Sequence, residues 1–337
     1  RGTNDYECGS TQPTFYWILG GEMGYAIGTV NKDGGDDAHL KLIDTIKTLA
    51  EANGWVTQRF TTNSTYRELI IKSTGLSTTE EIYLGFKTYQ NIGADYYNIT
   101  VAVMTGYVSA NSFEAQPGYV ARSVPAHNNS ITYFITANAQ RIVGCIKVGT
   151  PVYEHFYIGK FYPYARPGEY PSPLCLAGMI AAGAATRFSE TTHRFPYHGR
   201  TAAHLFIRDQ AGAWPQPCVY PFQQASSSVS RCLSESGTVG LVPAGTQYQL
   251  EPLILMQYNT TATQANVWGE LDGVHCVSGF NNAVENVIQL GGATVDQTGM
   301  TVAQAVAAIR AVPARAFVVC QNVNQTSWRD YVAIEMS

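Results

Sequence analysis

The apolar stretches of this chain are short, and that limits the fold more than any other feature of the sequence. Residues 55–60 (WVTQRF), 66–72 (YRELIIK), 82–89 (IYLGFKTY) and 97–104 (YNITVAVM) are rich in β-branched and aromatic side chains. Turn formers separate them: Asn63-Ser64, Ser73-Thr74-Gly75 and Asn91-Ile92-Gly93. Runs of that length and content read as strands, and the connections between them as tight turns. No run approaches the ~18 apolar residues that a membrane-spanning helix needs, so no membrane span is expected.

One stretch breaks the pattern. Within 37–52, Leu42, Ile43, Ile46, Leu49 and Ala50 recur on one helical face, with Lys41, Asp44, Lys47 and Glu51 opposite. The acidic residues of DGGDD (33–37) are placed to complement the positive end of a helix dipole. Asn53-Gly54 supplies the stop. A helix followed by a four-strand meander makes a small α+β layer at 33–108, preceded by an arm, 1–32, with the apolar knot FYWILGG (15–21) and one short strand.

The remainder, 109–337, reads as a larger β-rich, loop-rich region. Residues 109–130 are polar and loop-like. A hairpin is expected from 131–136 and 141–148, joined across Ala137-Asn138-Ala139-Gln140. LAGMIAAGAATRF (176–188) reads as a tightly packed helix or buried turn, and the Ser, Thr, Gly and Pro of 189–250 as long loops. Strands are expected at 250–258 and 266–271. The segment 269–292 should form strand, turn and short strand, and AFVVCQNV with DYVAIEM a terminal hairpin. A second amphipathic helix is expected at 301–312, with Val302, Ala305, Val306 and Ile309 on one face. The fold class is therefore α+β, dominated by β.

Charged residues make up 14% of the 337, against ~25% in an ordinary globular protein. Aromatics are plentiful, led by 21 tyrosines. That composition excludes a disordered chain, and a net charge of −4 argues against nucleic acid as a partner. It suits a protein with extensive contacts to other proteins, since such interfaces are poor in charge and rich in aromatics. The segment VYEHFYIGKFYPYARPGEYPSP (152–173) concentrates that signal. Tyr153, Phe156, Tyr157, Phe161, Tyr162, Tyr164, Arg166 and Tyr170 are the interface candidates, because Tyr and Arg dominate interface hot spots. The competing reading is a strand and a proline-stiffened loop packed over the chain's own core.

Seven cysteines are an odd number, so at least one is unpaired or bonded to another chain. Cys145, Cys276 and Cys320 lie in apolar strand-like runs and read as buried thiols. Cys218 and Cys232 flank a flexible serine-rich stretch and are the intrachain disulfide candidates; Cys8, in the arm, is the interchain candidate. No C-x-x-C pair occurs, and His193, His198 and His204 read as loop histidines packing on Phe195 and Tyr197 rather than as metal ligands. No H-E-x-x-H, G-x-S-x-G or phosphate-binding loop occurs, and no cofactor is expected. The carboxylates closest to a hydrolase pair, Glu80-Glu81, Asp272 and Glu285, have nothing in the sequence to fix their separation. Enzymatic activity is not expected.

Four collinear stretches, 75–101, 131–178, 269–292 and 318–336, with the NGW that follows helix 37–52, resemble a family of virion structural proteins of tailed bacteriophages. The aromatic-proline segment is the most specific of them, and together they cover a little over a third of the chain. The resemblance implies a structural component of the tail or baseplate, with the neck or head surface as the second placement. Its partners would be other virion proteins and copies of itself, and it would be assembled in the bacterial cytoplasm into an extracellular particle. The family supplies no catalytic residues. Two other functions stand beside this expectation: a module of the virion that binds a receptor or glycan on the host surface, and a polysaccharide or cell-wall hydrolase.

Overall fold

The structure, a computed structural model, describes residues 23–149, 152–164, 173–190, 192–197, 204–222, 249–257, 267–278, 286–289, 295–296, 316–321 and 331–336. Among these residues three antiparallel sheets are stacked, and one α-helix is tucked between two of them. In chain order the elements begin with strand β1 (Gly24–Asn31), helix α1 (Ala38–Ala52), and strands β2 (Trp55–Thr62), β3 (Arg67–Ser73), β4 (Ile82–Asn91), β5 (Tyr96–Met104) and β6 (Val120–Pro125). There follow β7 (Ser130–Ala137), β8 (Arg141–Lys147), β9 (Tyr153–Lys160), β10 (Tyr162–Pro163), β11 (Leu174–Ala177), β12 (Ile180–Ala181), β13 (Leu205–Ile207) and β14 (Cys218–Tyr220). The last are β15 (Gln249–Met256), β16 (Val267–Ser278), β17 (Asn286–Gln289), β18 (Val295–Asp296), β19 (Ala316–Gln321) and β20 (Tyr331–Glu335).

The first sheet runs β12-β6-β5-β4-β3-β2, the middle sheet β1-β7-β8-β9-β11-β13, and the third β14-β15-β16-β20-β19-β17-β18, with β10 also paired to β16. The β-dominated class expected from the short apolar runs is what the chain adopts. The helix and the four-strand meander lie where periodicity put them, and β7–β8 and β19–β20 are the expected hairpins.

Burial explains why alternation fades after residue 130. The middle sheet is covered on both faces, so its strands are apolar on both. On one side Ile131, Ile135, Ile142, Ile146, Phe156 and Ile158 pack against Leu69, Leu84, Phe86, Ile99 and Val101 of the first sheet. On the other, Phe134, Val143, Cys145 and Tyr157 pack against Leu253, Leu255, Leu271, Val274, Val318 and Ile334 of the third. Helix α1 lays Leu42, Ile43, Ile46 and Leu49 into the first of these cores, touching β1 and β7 as well as β2 to β5. The outer face of the first sheet is roofed by loop 105–119. Phe113 is buried there, and the Gln116 side chain bonds Val108, Asn111 and Ser112 backbone groups.

Several expectations change. The end of the arm, 24–31, is a full strand on the edge of the middle sheet, and 120–125 is a strand within what read as loop. Residues 176–188 hold the end of β11 and all of β12 rather than a helix, because Ile180 and Ala181 find a partner in β6. The strand expected at 266–271 runs on to 278, with an irregular register near Gly273, and a short strand follows at Asn286–Gln289. Two short strands, β13 and β14, interrupt the region 189–250. The boundary at 108 does not divide two cores, since β6 and β12 complete the first sheet and α1 shares one core with the middle sheet. The acids before α1 serve ion pairs in place of capping: Asp33 with Lys41, Asp36 with Arg67, Asp37 with Lys32; Asp37 makes no side-chain cap. Gly54, with φ of 86°, ends the helix as expected. Residues 1–22, the expected helix at 301–312 and most of the expected long loop lie outside the described residues.

The three sheets meet at the β7–β8 turn. Asn138 Oδ1 accepts from the Gln140 and Arg141 N–H groups, and its Nδ2 donates to Asp272 of the third sheet at 2.8 Å. Arg141, fully buried, donates Nε to the same Asp272 oxygen at 3.0 Å and Nη1 to Thr136. Trp55 and Ser73 of the first sheet donate to the Asn138 and Ala139 carbonyls. Tyr157 OH donates to the Lys160 carbonyl and accepts from the Asp272 N–H. Two glycines leave the room. Gly159 (φ 124°) lies against the Gln140 carbonyl and Gly273 (φ 70°) against the Arg141 guanidinium, where any Cβ would collide.

Ile46→Ala should lower stability by about 2–4 kcal/mol, as truncation of a buried aliphatic residue does, while Val56→Ala on the exposed edge should stay within about 0.5 kcal/mol; equal urea midpoints for the two would contradict the packing of α1. Removing the cation in Arg141→Met should cost about 3–5 kcal/mol, because Asp272 is left buried and unneutralised. The double change Arg141→Met/Asp272→Leu should recover a large part of that loss in the same urea experiment.

Candidate functional site

The aromatic segment divides between interior and surface. Tyr153, Phe156, Tyr157 and Phe161 are core residues of this chain, each at most 3% exposed. They are placed there by β9, whose odd-numbered side chains face the third sheet while Phe156 and Ile158 face the first. For these four the core-packing reading applies, and an interface role does not. Arg166 and Tyr170 lie outside the described residues.

Tyr162 and Tyr164 are the two that reach the surface, 37% and 53% exposed. Their positions are fixed. Strand β10 pairs Tyr162 with Glu270, Tyr164 N–H donates to the Trp268 carbonyl at 3.0 Å, and Tyr164 OH donates to Glu270 Oε2 at 2.8 Å. Val267, at 44% exposed, lies on the same strand. Burial, with the Glu270 carboxylate beside it, pushes the Tyr164 hydroxyl up to about 12, so it remains a protonated donor at any physiological pH. The result is a small patch of phenolic surface held in one conformation by main-chain pairing and the Tyr164–Glu270 hydrogen bond.

Three of the carboxylates considered for hydrolysis are each paired with a cation. Glu80 pairs with Lys160, Glu81 with Lys72 and Asp272 with Arg141; Glu285 lies outside the described residues. Among the described residues no group of three or more His, Cys, Asp or Glu side chains is placed to hold a metal ion. No described helix is long and apolar enough to cross a membrane. Cys145, Cys276 and Cys320 are buried in strands, as expected, and burial pushes the Cys175 thiol far up. Cys218 is buried in β14, while Cys232 and Cys8 lie outside the described residues.

One polar pair went unread in the sequence. Glu154 on β9 is fully buried between the first and middle sheets, with Oε1 2.5 Å from His193 Nδ1. His193 Nε2 lies 2.8 Å from the Arg187 carbonyl, which can only accept, so Nε2 carries a proton. A further proton is then shared between Nδ1 and the carboxyl. Phe195 and Tyr197, expected beside His193, pack edge-on against His155 instead. The two partners are 39 positions apart, and no local spacing relates them. His193 does lie in a loop, as expected, but it is buried there against Glu154, because the strand that completes its site is remote in sequence.

No protein-family model matches the chain, and no curated protein matches it.

Burial drives the Glu154 carboxyl up to about 7 even though His193 pulls it down. For His193 burial acts downward, but the hydrogen bond and charge of Glu154 outweigh it and leave the imidazole above its ordinary value. Both groups are therefore shifted upward by folding, so the folded chain retains protons that the unfolded chain has released. Stability from such a pair is complete below the unfolded carboxyl value of 4.5 and is lost as pH rises through about 7. The stability of the wild-type chain relative to Glu154→Gln, from urea midpoints, should shrink from about pH 5 to about pH 8; a difference that grows over this range would contradict the shared proton.

Proposed function

We propose that this chain is a structural component of a tailed-bacteriophage virion, of the tail or baseplate, and that it acts through protein–protein assembly contacts rather than catalysis. The observation that carries the proposal is the pinned pair Tyr162 and Tyr164: aromatic surface held rigid by a strand pairing and a side-chain hydrogen bond. A rigid exposed tyrosine loses little conformational entropy on docking and brings a large apolar face with a polar tip, the chemistry of an interface anchor. The collinear resemblance to virion structural proteins supports the same reading, as does a chain with 14% charged residues. On this proposal the partners are other virion proteins or further copies of the chain, and the location is the extracellular particle after assembly in the host.

In the assembled particle, electron cryo-microscopy should show Tyr162 and Tyr164 covered by a neighbouring chain. The double variant Tyr162→Ala/Tyr164→Ala should fold but be incorporated at about a tenth of the normal level or less, as loss of an anchor worth ~1.4 kcal/mol or more implies. Rings left facing solvent at a tip of the particle would replace assembly with recognition of a host receptor.

A further inference from the structure

Between β13, at the end of the middle sheet, and the β15–β16 pair of the third sheet lies a cleft of about 450 Å3, open to solvent. Small-molecule sites have volumes of ~300–1,000 Å3. One wall is Phe206 on β13, with Asp209, Trp214 and Gln216 on the turn that follows; the other is Gln257, just past β15, and Trp268 on β16.

The first wall is preset. Asp209 N–H donates to the Ala213 carbonyl at 2.9 Å, and Gly212 N–H to the Asp209 carbonyl at 3.1 Å. Ala213 N–H donates to Asp209 Oδ1 at 2.8 Å, and Ile207 N–H to the Pro215 carbonyl at 3.1 Å. The Arg122 guanidinium braces the Phe206 ring, 4.1 Å from its centre. A wall held in this way loses little freedom when a ligand arrives.

Several polar groups on this lining are uncommitted. The indole N–H groups of Trp214 and Trp268, the Gln216 amide and Asp209 Oδ2 make no hydrogen bond among the described residues. The lining therefore joins flat apolar rings to unused donors and acceptors. Among the described lining residues there is a carboxylate and no cation, which disfavours an anionic ligand.

We propose that this cleft is a binding site for a neutral saccharide. A pyranose ring has a C–H face that packs on an indole and a rim of hydroxyls that both donate and accept, which is the complement of this lining. A quaternary ammonium ligand would use the aromatic rings and Asp209, but it would leave the two indole donors and the amide unmatched. The proposal goes beyond the assembly reading and does not depend on it, since the binding surface is on the isolated chain.

The experiment titrates the full chain with cellohexaose, maltohexaose and chitohexaose, with choline chloride as the competing probe, following tryptophan fluorescence and heat. At least one of the three oligosaccharides should bind saturably and shift the tryptophan emission. Trp214→Ala and Trp268→Ala should each weaken that binding by about tenfold or more, and Asp209→Asn by a smaller factor. Tyr164→Ala should bind as the wild type does, which separates this site from the assembly patch. If an alanine variant fails to fold, Trp214→Phe and Gln216→Ala serve in its place, with partial and several-fold losses expected. Saturation by choline alone, no saturation by any of the three saccharides, or saccharide binding that survives the tryptophan changes would each overturn the proposal.

Discussion

The buried contact between Arg141 and Asp272 is what the rest of the architecture depends on. Arg141 opens β8 of the middle sheet, Asp272 belongs to β16 of the third, and the Asn138 amide shares the same carboxylate oxygen. Through its carbonyl, Asn138 also takes the Trp55 indole N–H from the first sheet. A single turn thus sets the relative position of all three layers. Hydrophobic packing alone is tolerant of sliding, because it is non-directional. A guanidinium and an amide converging on one oxygen are not tolerant, because a shift of one residue in any layer would strand a charge where water cannot reach it. The polar joint therefore supplies register to a stack whose cohesion comes from aliphatic and aromatic burial.

A sheet covered on both faces imposes a second condition: every polar side chain on it must meet its partner inside the protein. Thr136 meets Arg141, and Tyr157 bridges a carbonyl and an amide. Glu154 meets His193. The last of these holds the loop around 187–197 against the middle sheet, since His193 is tied at its other nitrogen to the Arg187 carbonyl. These contacts are few, but each sits where the alternative is an unpaired buried group, so each constrains far more than its net energy suggests.

What the sequence disclosed was whatever is local. Helix α1 was legible because Leu42, Ile43, Ile46 and Leu49 repeat with helical spacing, and the meander because each strand is bounded by turn residues. The hairpins β7–β8 and β19–β20 were legible for the same reason. Strand β1 was not, because its pairing partner, β7, is about a hundred positions away and its own residues, GYAIGTVN, are half-buried and weakly patterned. Strand β12 is two residues long and exists only because β6 is there to receive it. The aromatic segment was legible in part. A run so rich in tyrosine reads equally as core and as interface; the double burial of β9 takes up Tyr153, Phe156 and Tyr157, and among the described residues Tyr162 and Tyr164, after the crossing to β16, remain outside. The cleft residues Trp214 and Trp268 come from separate turns and strands, and no spacing rule joins them.

From β9 onward the chain does not finish one sheet before starting the next. It leaves the middle sheet for the third at β10, returns at β11, visits the first at β12, goes back to the middle at β13 and enters the third at β14. The layers are laced together by one continuous thread. During synthesis, the first sheet cannot gain its last strand until residue 181 has emerged, nor the middle sheet its last until residue 207. Nascent chains of intermediate length must hold unfinished edges and uncovered apolar faces while they wait, which is when misassociation is most damaging. Such a topology folds slowly, because its pairings are distant in sequence. The same lacing gives the finished molecule a mechanical property: a pull on any one layer is transmitted to the other two, so the stack resists peeling and yields only as a whole.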